Sequence, residues 1–299
     1  MTNPLSTFKS GFTVIAGSPN AGKSTLLNRM LGEKISITSK KAQTTRNRIL
    51  GVMHRPLSQI VFLDTPGLHK AKKPLNIRIV DVALAALEDV DLALIVADAA
   101  KPDSESEDYI IQKLRAQNKP VFLALNKIDL IRKAVLLKQI NRWSGAYPFK
   151  EIVPISAKTG EQVDRLIACL ESILPIGPPY FPEETLTDLP ERFIAAEMIR
   201  EKVFRFTGQE IPYSSAVTID HFSDATNKGP VRIDATIHLE RDSQKGIVIG
   251  KNGARLKQIG KAARTDIERM LGTHIFLKLF IRVQKNWSRD TKAIRRFGY

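Results

Sequence analysis

The feature that most constrains this chain is an eight-residue stretch, residues 17–24, that reads Gly-Ser-Pro-Asn-Ala-Gly-Lys-Ser. An apolar, β-branched segment precedes it, and a segment with leucines at helical spacing follows. The glycines allow successive backbone N–H groups to turn toward one point, and the following helix adds the positive end of its dipole. The stretch therefore predicts a phosphate-binding loop between a strand and a helix.

The rest of the first 175 residues agrees with such an α/β arrangement. Short apolar runs with strand character alternate with segments whose apolar residues recur every three or four positions. We predict strands within 11–17, 59–67, 91–100, 120–130 and 151–158, an antiparallel edge strand within 47–55, and helices within 74–90, 104–119 and 159–174. This order predicts a mostly parallel sheet with helices on both faces.

A proline-rich segment separates this region from a second one with a different order of elements. There we predict a helix at 191–208, strands at 212–222 and 231–242, a glycine-containing turn between two helices at 250–253, a helix at 254–272 and a strand at 273–284. The order α-β-β-α-α-β is typical of a small α+β domain. We therefore expect a first domain at 1–176, an extended linker at 177–190, a second domain at 191–285 and a basic tail at 286–299.

Charge and cysteine content narrow the function classes. The formal net charge is +15, and residues 200–299 hold 20 lysines and arginines against 10 acidic residues, so this third carries +10 of the excess. Such a balance favours a polyanionic partner, either nucleic acid or an anionic membrane surface. The single cysteine, Cys169, excludes an intramolecular disulfide, and the five histidines show no metal-ligand spacing. Without an apolar run long enough to span a bilayer or a signal-peptide pattern, we expect a cytoplasmic protein.

Three further motifs follow predicted strands at the edge where open α/β sheets bind ligands. They are Asp64-Thr65-Pro66-Gly67, Asn126-Lys127-Ile128-Asp129 and Ser156-Ala157-Lys158. Each is weak alone, but the ordered set is specific. With the loop residues, it predicts nucleotide contacts from Gly17, Ser18, Pro19, Asn20, Ala21, Gly22, Lys23, Ser24, Thr25, Asp64, Thr65, Pro66, Gly67, Asn126, Lys127, Asp129, Ser156, Ala157 and Lys158.

The first of these motifs completes a phosphate and metal site. Lys23 would reach the β- and γ-phosphates, and the Ser24 hydroxyl would ligate Mg²⁺. Asp64 would hold the same Mg²⁺ through water, and the Gly67 N–H would sense the γ-phosphate.

The other two motifs select the base. A carboxylate at Asp129 can accept hydrogen bonds from N1–H and the 2-amino group of guanine, which adenine lacks, so adenine would leave it unpaired. Asn126 can bond the edge of the ring, and the stem of Lys127 can lie along the base. The loop at 156–158 can donate a backbone N–H to the guanine oxygen.

With all four motifs, residues 11–175 resemble a GTPase of the translation-factor-related class. Together with the second region, nearly the whole chain is similar to the Era family of bacterial GTPases. The resemblance implies a P-loop GTPase domain that binds GTP and GDP and hydrolyses GTP with Mg²⁺. A simple NTP-dependent enzyme such as a kinase is the less favoured interpretation, because no acceptor-substrate pocket is apparent and 126–129 favours a guanine switch.

The resemblance also places a first switch loop at 36–48. Either Thr44 or Thr45 could offer its hydroxyl to Mg²⁺, and we favour Thr45; Arg46 and Arg48 more simply belong to a solvated loop. Leu68 stands where Ras-like GTPases carry the glutamine that orients water, and it has no hydrogen-bonding group. Asn20 could then hold a K⁺ that supplies charge near the phosphoryl group, or it could only favour the tight turn. The expected catalytic set is Asn20, Lys23, Thr45 and Gly67.

The glycine turn of the second region resembles that of a type II KH domain, whose groove reads about four single-stranded nucleotides. Lys251 and Asn252 lie between Gly250 and Gly253. The apolar residues before the turn would form a floor for unstacked bases. We expect RNA contacts from Lys245, Gly246, Ile247, Val248, Ile249, Gly250, Lys251, Asn252, Gly253, Arg255 and Lys257.

The Era resemblance further implies the partners. These are the 3′ end of 16S rRNA and the 30S subunit during its assembly, with peripheral contact to the inner membrane and a monomeric state. Trp287 and Phe297 in the tail could stack on RNA or touch lipid headgroups, although Trp287 more plainly packs on its own domain. A membrane-surface GTPase whose basic domain binds anionic lipid is the alternative interpretation.

Overall fold

The computed structural model describes residues 7–38, 46–68, 74–87, 90–208, 211, 214–223 and 230–297. Within these ranges the chain forms two compact units, and the residues from Leu189 onward belong to the second. No helix in the described ranges is both long enough and apolar enough to cross a membrane.

In its described part, the first unit is built on a six-stranded sheet with the order β2-β3-β1-β4-β5-β6. Its strands are β1 (Lys9–Gly17), β2 (Ile49–Arg55), β3 (Ser58–Asp64), β4 (Leu92–Asp98), β5 (Val121–Asn126) and β6 (Glu151–Pro154). Only the β2–β3 pair is antiparallel; the other neighbours run parallel. The predicted parallel sheet and its antiparallel edge strand are therefore confirmed.

Helices cover both faces of this sheet. They are α1 (Lys23–Leu31), α2 (Pro74–Ala85), α3 (Ser104–Leu114), α4 (Lys133–Ala146) and α5 (Val163–Ser172). Buried residues of α2, α3 and α4 join Leu50 and Val52 of β2 in one core cluster. On the opposite face, a Cβ added at Gly51 would meet the side chains of Leu27 and Leu31 at 3.2 and 2.6 Å, so α1 packs there.

Two parts of this unit were not anticipated. Helix α4 was missed because Trp143 is its one buried residue, and a helix exposed on most of its surface gives little periodic signal. The proline-rich segment is tied to the first unit: Leu186 accepts a bond from the Val52 N–H, and Gln59 bonds both the N–H and the carbonyl of Phe181.

The second unit has the predicted order α-β-β-α-α-β and adds a short C-terminal helix. Its elements are α6 (Glu191–Phe206), β7 (Ser215–Phe222), β8 (Val231–Leu239), α7 (Asp242–Ile249), α8 (Ala254–Leu271), β9 (Ile275–Val283) and α9 (Thr291–Arg296). The sheet order is β7-β8-β9, with β8 and β9 parallel. Apolar side chains from one face of this sheet pack against α6, α7 and α8 in a single core cluster.

Candidate functional site

The predicted phosphate loop lies at the carboxyl end of β1 and leads directly into α1. Gly22 is the N-cap of α1 with φ 102°, and it has no side chain that could bond the first N–H groups of the helix. Those donors and the helix dipole therefore face the position where the sequence predicts phosphate. Ser18 and Ala21 are buried within the loop, and Asn20 is exposed with φ 63°.

Two glycines of the site are required by close contacts. A Cβ on Gly22 would lie 2.3 Å from the Asn126 side-chain nitrogen, and a Cβ on Gly67 would lie 2.7 Å from the Pro19 Cα. Any side chain at either position would displace a neighbouring loop. The glycines thus allow the loops after β3 and β5 to close on the phosphate loop.

Lys23 is buried at the base of the loop. Its Nζ donates to the carbonyl oxygens of Gly17 and Ser18, at 3.1 and 2.9 Å. Burial lowers the pKa of Lys23 from 10.5 to about 8, and the nearby Asp64 carboxylate opposes this shift. A buried ammonium held mainly by carbonyl dipoles would be stabilised by an incoming phosphate.

The hydroxyls of Ser24 and Ser36 both donate to Oδ2 of Asp64, at 2.7 and 3.0 Å. Oδ1 of the same buried carboxylate has no hydrogen-bond partner within the described ranges. Burial raises the pKa of Asp64, while Lys23 and the two serines oppose the shift. A hydroxyl beside an orphaned carboxylate oxygen is a donor set that fits Mg²⁺, which prefers oxygen ligands. Thr44 and Thr45, the expected switch ligands, lie outside the described residues.

The base-recognition motifs meet at the ends of β5 and β6. Nδ2 of buried Asn126 donates to the Ala21 carbonyl at 2.8 Å, and its Oδ1 accepts the N–H groups of Lys127 and Ala157. Asn126 thus joins the phosphate loop to both base-recognition loops. Because the Ala157 N–H donates to Asn126, the next backbone donor in this loop for a base oxygen is the Lys158 N–H.

Asp129 and Lys127 follow β5, and both contact neighbouring loops. The exposed Asp129 carboxylate accepts a bond from the Ser156 hydroxyl through Oδ1 at 2.7 Å, so that its Oδ2 is oriented by the same contact. Lys127 has φ 68°, and its Nζ donates to the Asn20 carbonyl and to Asp98. The Lys127 side chain therefore spans from the base-recognition loop to the phosphate loop.

Three contributors were missed by the sequence analysis. Ser36 begins the predicted switch loop, but no motif distinguishes it from the other polar residues there. Arg29 donates from α1 to the carbonyls of Ala157 and Lys158 and so fixes the loop after β6. Asp98 accepts the Ala100 and Lys101 N–H groups as well as Lys127. Contacts between distant segments of this kind leave no local signature.

Other members of the predicted set have structural partners or lie in the core. The Thr65 hydroxyl donates to the Ile15 carbonyl at 2.9 Å. Leu68 is completely buried in the core, and its N–H donates to the Gly17 carbonyl. The Leu68 side chain therefore has neither the exposure nor the hydrogen-bonding group needed to orient an attacking water.

In the second unit, the glycine turn joins α7 to α8 and exposes its two central residues. Gly250, Asn252 and Gly253 have φ values of 71°, 51° and 77°, and Lys251 and Asn252 are exposed. A Cβ on Gly250 would lie 2.8 Å from the Arg255 Cβ, so the first turn of α8 packs against the glycine. Lys245, Gly246, Ile247 and Lys257 are exposed around it.

The predicted RNA surface is wrong at Val248, whereas Trp287 packs on its own domain as expected. Val248 is completely buried in the core cluster, because a helix turns about 100° per residue and only one of three successive apolar residues faces inward. Trp287 is also fully buried, and its indole N–H donates to the Ser214 carbonyl; its ring contacts Phe297, which is 7% exposed. These two tail aromatics are core residues of the unit and do not stack on RNA or lipid.

Comparison with known proteins adds independent findings. A family model described as 50S ribosome-binding GTPase matches residues 12–127, and a KH domain model matches residues 210–288. GTPase Era of Geobacter metallireducens is 56% identical, with 98% of each chain covered, and GTPase Era of Staphylococcus haemolyticus is 47% identical, with 97% of each covered.

Solved structures agree with these relatives. A crystal structure of an Aquifex aeolicus Era variant bound to GDP·AlF4⁻ matches with a TM-score of 0.92 and 42% identity, covering 98% of this chain and 99% of the other. A crystal structure of Era in complex with MgGDPNP and nucleotides 1506–1542 of 16S ribosomal RNA matches with a TM-score of 0.93, the same identity and the same coverage. The predicted fold class, a P-loop GTPase domain followed by a KH domain, is confirmed.

Proposed function

This chain belongs to the Era family of GTPases, and from that premise we propose that it is a GTP-hydrolysing switch that binds the 3′ end of 16S rRNA and acts in assembly of the 30S subunit. The observation that carries the proposal is the linkage of Asn126 to both the phosphate loop and the loop after β6. It brings phosphate and base recognition into one site. The same chain carries an exposed glycine turn suited to single-stranded RNA.

The nucleotide would be held by three groups of contacts. Lys23 and the N–H groups at the start of α1 would bind the phosphates, and Asp129 would accept the two guanine donors. Ser24 and Asp64 would hold Mg²⁺, which neutralises charge on the phosphates when bound. The Gly67 N–H lies in the loop that closes on Pro19 and would report the γ-phosphate.

Guanine selection has a direct test at Asp129. Replacing the carboxylate with an amide (Asp129→Asn) removes one acceptor while keeping the bond from Ser156, so GTP affinity should fall by about 100-fold, the loss of one to two charge-assisted hydrogen bonds. Xanthosine triphosphate, which has an oxygen where guanine has the 2-amino group, should bind the variant better than GTP does. Unchanged GTP affinity would contradict the assignment.

RNA binding would use the glycine turn. The change Lys251→Asp with Asn252→Asp places two carboxylates where the turn approaches an RNA backbone, and we expect binding of a 16S rRNA 3′-end fragment to be lost. GTP hydrolysis without RNA should remain, because these residues belong to the other unit. If RNA affinity survives, the KH assignment of this turn is wrong.

K⁺ would act at Asn20. The residue is exposed and has a left-handed backbone. Replacing it with glycine therefore separates a role in the turn from a role as a K⁺ ligand. Asn20→Gly preserves the turn and removes the side-chain oxygen. If Asn20 binds K⁺, the wild type should hydrolyse GTP faster in KCl than in NaCl and Asn20→Gly should not. An equal rate of the wild type in both salts, or a retained K⁺ response in Asn20→Gly, would exclude the role.

For location and assembly we propose a cytoplasmic monomer with a peripheral contact at the inner membrane. The membrane contact rests on the net charge of +10 in residues 200–299, because the tail aromatics are buried. The same charge supports the alternative of a membrane-surface GTPase. Flotation with anionic vesicles separates the two, since the Lys251→Asp, Asn252→Asp variant should lose RNA but keep any lipid binding.

A further inference from the structure

The sheet of the second unit has a face that helices α6, α7 and α8 leave uncovered. Side chains alternate along β9: Ile275, Leu277, Leu279 and Ile281 pack toward the helices, and the intervening residues point the other way. Parallel pairing places Arg232 of β8 beside Phe276. We call the exposed residues Arg232, Phe276, Lys278, Phe280 and Arg282 the open sheet face.

Two phenylalanines are exposed on this face, each with a cation beside its ring. Phe276 is 54% exposed and Phe280 is 43% exposed. The Arg232 guanidinium lies 5.9 Å from the centre of the Phe276 ring, and the Lys278 ammonium lies 4.9 Å from that of Phe280. Both rings project from a rigid strand and are separated by about 13 Å at four residues of extended chain. Exposed aromatics alternating with cations form the type of platform on which unpaired bases stack.

A pocket lies at the end of the same face, next to α9. It has a volume of about 600 Å³ and is lined by residues that include Arg282, Arg296 and His238. His238 is 93% buried: Nε2 bonds the Thr218 hydroxyl at 2.9 Å, whereas Nδ1 has no hydrogen-bond partner within the described ranges. Burial lowers the pKa of His238 to about 4, so the ring is neutral at pH 7 and adds no charge to the pocket.

We propose that the open sheet face and this pocket form a second RNA-binding surface, on the side of the sheet opposite the glycine turn. Unpaired bases would stack on Phe276 and Phe280, and phosphates would lie near Lys278, Arg282 and Arg296. The inference rests on the proposed RNA-binding function, and extends it to nucleotides beyond the approximately four that a KH groove reads.

Charge and shape favour RNA over an anionic membrane as the occupant. Asp234 pairs with Arg232, and Asp220 lies in the pocket beside His238, so carboxylates are interspersed among the cations. Discrete polar groups of both signs suit the hydrogen-bonding edges of bases. Membrane binding favours apolar residues projecting from a uniformly basic surface, whereas these rings lie on the plane of a sheet.

The test uses two RNA probes. The long probe is the 16S rRNA fragment 1506–1542, and the short probe is about eight nucleotides from its 3′ end, enough to fill a groove that reads about four. The double variant Phe276→Ala, Phe280→Ala should bind the long probe at least about fivefold more weakly, the lower end of what one base–aromatic stack contributes. Its affinity for the short probe should equal that of the wild type, which also shows that the unit is folded. The matched control, Leu137→Ala with Lys138→Gln, removes an exposed apolar residue and a cation from α4 and should bind both probes normally.

Two single changes separate stacking and charge from a structural role. Phe280→Trp should retain long-probe affinity, whereas Phe280→Leu, apolar but without a ring, should lose it. Arg282→Gln should reduce the slope of log affinity against log salt concentration by about 0.7, the effect of one single-strand phosphate contact.

The outcomes are distinguishable. If the wild type binds neither probe, the proposed RNA function fails, and this inference fails with it. If the wild type binds both probes, and the alanine variants bind the long probe as tightly as the wild type does, only the second surface is refuted. Loss of binding to vesicles containing anionic phosphatidylglycerol, with long-probe affinity unchanged, would overturn the inference in favour of a lipid-binding face.

Discussion

Nucleotide binding should be coupled to protonation of Lys23. Its ammonium is buried and bonds two carbonyl oxygens, and its pKa is lowered from 10.5 to about 8. Phosphate oxygens within hydrogen-bonding reach of Nζ would stabilise the charged form and raise the pKa again. Above pH 7, nucleotide should therefore bind with uptake of a proton.

The magnitude follows from the pKa of about 8 in the free protein. The neutral fraction of Lys23 is about one eleventh at pH 7, one half at pH 8 and ten elevenths at pH 9. If the pKa of Lys23 in the nucleotide complex lies well above 9, the number of protons taken up on binding equals this neutral fraction at each pH. GTP affinity should then fall about tenfold between pH 7 and pH 9, which corresponds to about 1.4 kcal/mol.

The sign for stability is consistent with this account. Because the folded pKa lies below that of an unfolded lysine, the unfolded chain binds more protons between pH 8 and 10.5. The contribution of Lys23 to the free energy of unfolding of the nucleotide-free protein should therefore rise with pH across that window. Bound nucleotide should remove this rise, since the pKa of Lys23 in the complex is no longer lowered.

Calorimetric titration with GDP in two buffers of different ionisation enthalpy measures the uptake directly. We expect about half a proton at pH 8 and almost none at pH 6.5. Lys23→Arg is the matched control, because its guanidinium stays protonated throughout this range. Uptake below about 0.1 proton for the wild type at pH 8, or equal uptake by Lys23→Arg, would refute the coupling.

Three further changes test the contacts that join the loops. Asn126→Ala should weaken the binding of GTP and GDP alike by about tenfold or more, because the buried Ala21 carbonyl and Ala157 N–H lose a partner. Wild-type affinity of the variant in a fluorescent-nucleotide titration would contradict this. Gly22→Ala should lower nucleotide affinity and the free energy of unfolding more than Gly32→Ala does. Both glycines have positive φ, but an added Cβ meets a neighbour only at Gly22. Similar unfolding curves for the two variants would refute the steric argument. Arg29→Gln should reduce the ratio of GDP to ADP affinity by a few fold, because the loop after β6 loses its contacts to α1, and an unchanged ratio in competition binding would show that Arg29 does not position that loop.

Sequence alone was enough for the strand-loop-helix core of the first unit. Its motifs are local: each comprises three to eight consecutive residues at the end of a buried strand, so composition and order identify them. The partners of those motifs were harder to predict. Asn126 and Ala21 lie 105 residues apart, and Arg29 and Ala157 lie 128 apart. No periodicity relates such pairs, because their contact depends on how parallel strands are ordered in the sheet.

The orientation of side chains on short elements was also beyond the sequence. Ile247, Val248 and Ile249 are all apolar, and the predicted floor for unstacked bases assigned all three to one surface. Helix α7 instead places Val248 in the core and leaves Ile247 42% exposed. For the exposed phenylalanines of β9, by contrast, the sequence predicts the direction of the side chains but not whether the face they lie on is covered. Period-two alternation predicts that Phe276 and Phe280 point away from the core, but only the positions of α6, α7 and α8 show that this face is left uncovered.

The hydrogen bonds around Asn126 and Lys127 connect the base-recognition loop to the phosphate loop. Asn20 and Lys127 both have left-handed backbones, which cost about 1 kcal/mol each for residues with a Cβ. They face each other through the bond from Lys127 Nζ to the Asn20 carbonyl, beside the bond from Asn126 to the Ala21 carbonyl. Because the base-recognition loop holds two successive carbonyls of the phosphate loop, distortion at either end costs hydrogen bonds at the other. Base and phosphate contacts should therefore contribute cooperatively to nucleotide affinity, and removal of one set should weaken the other.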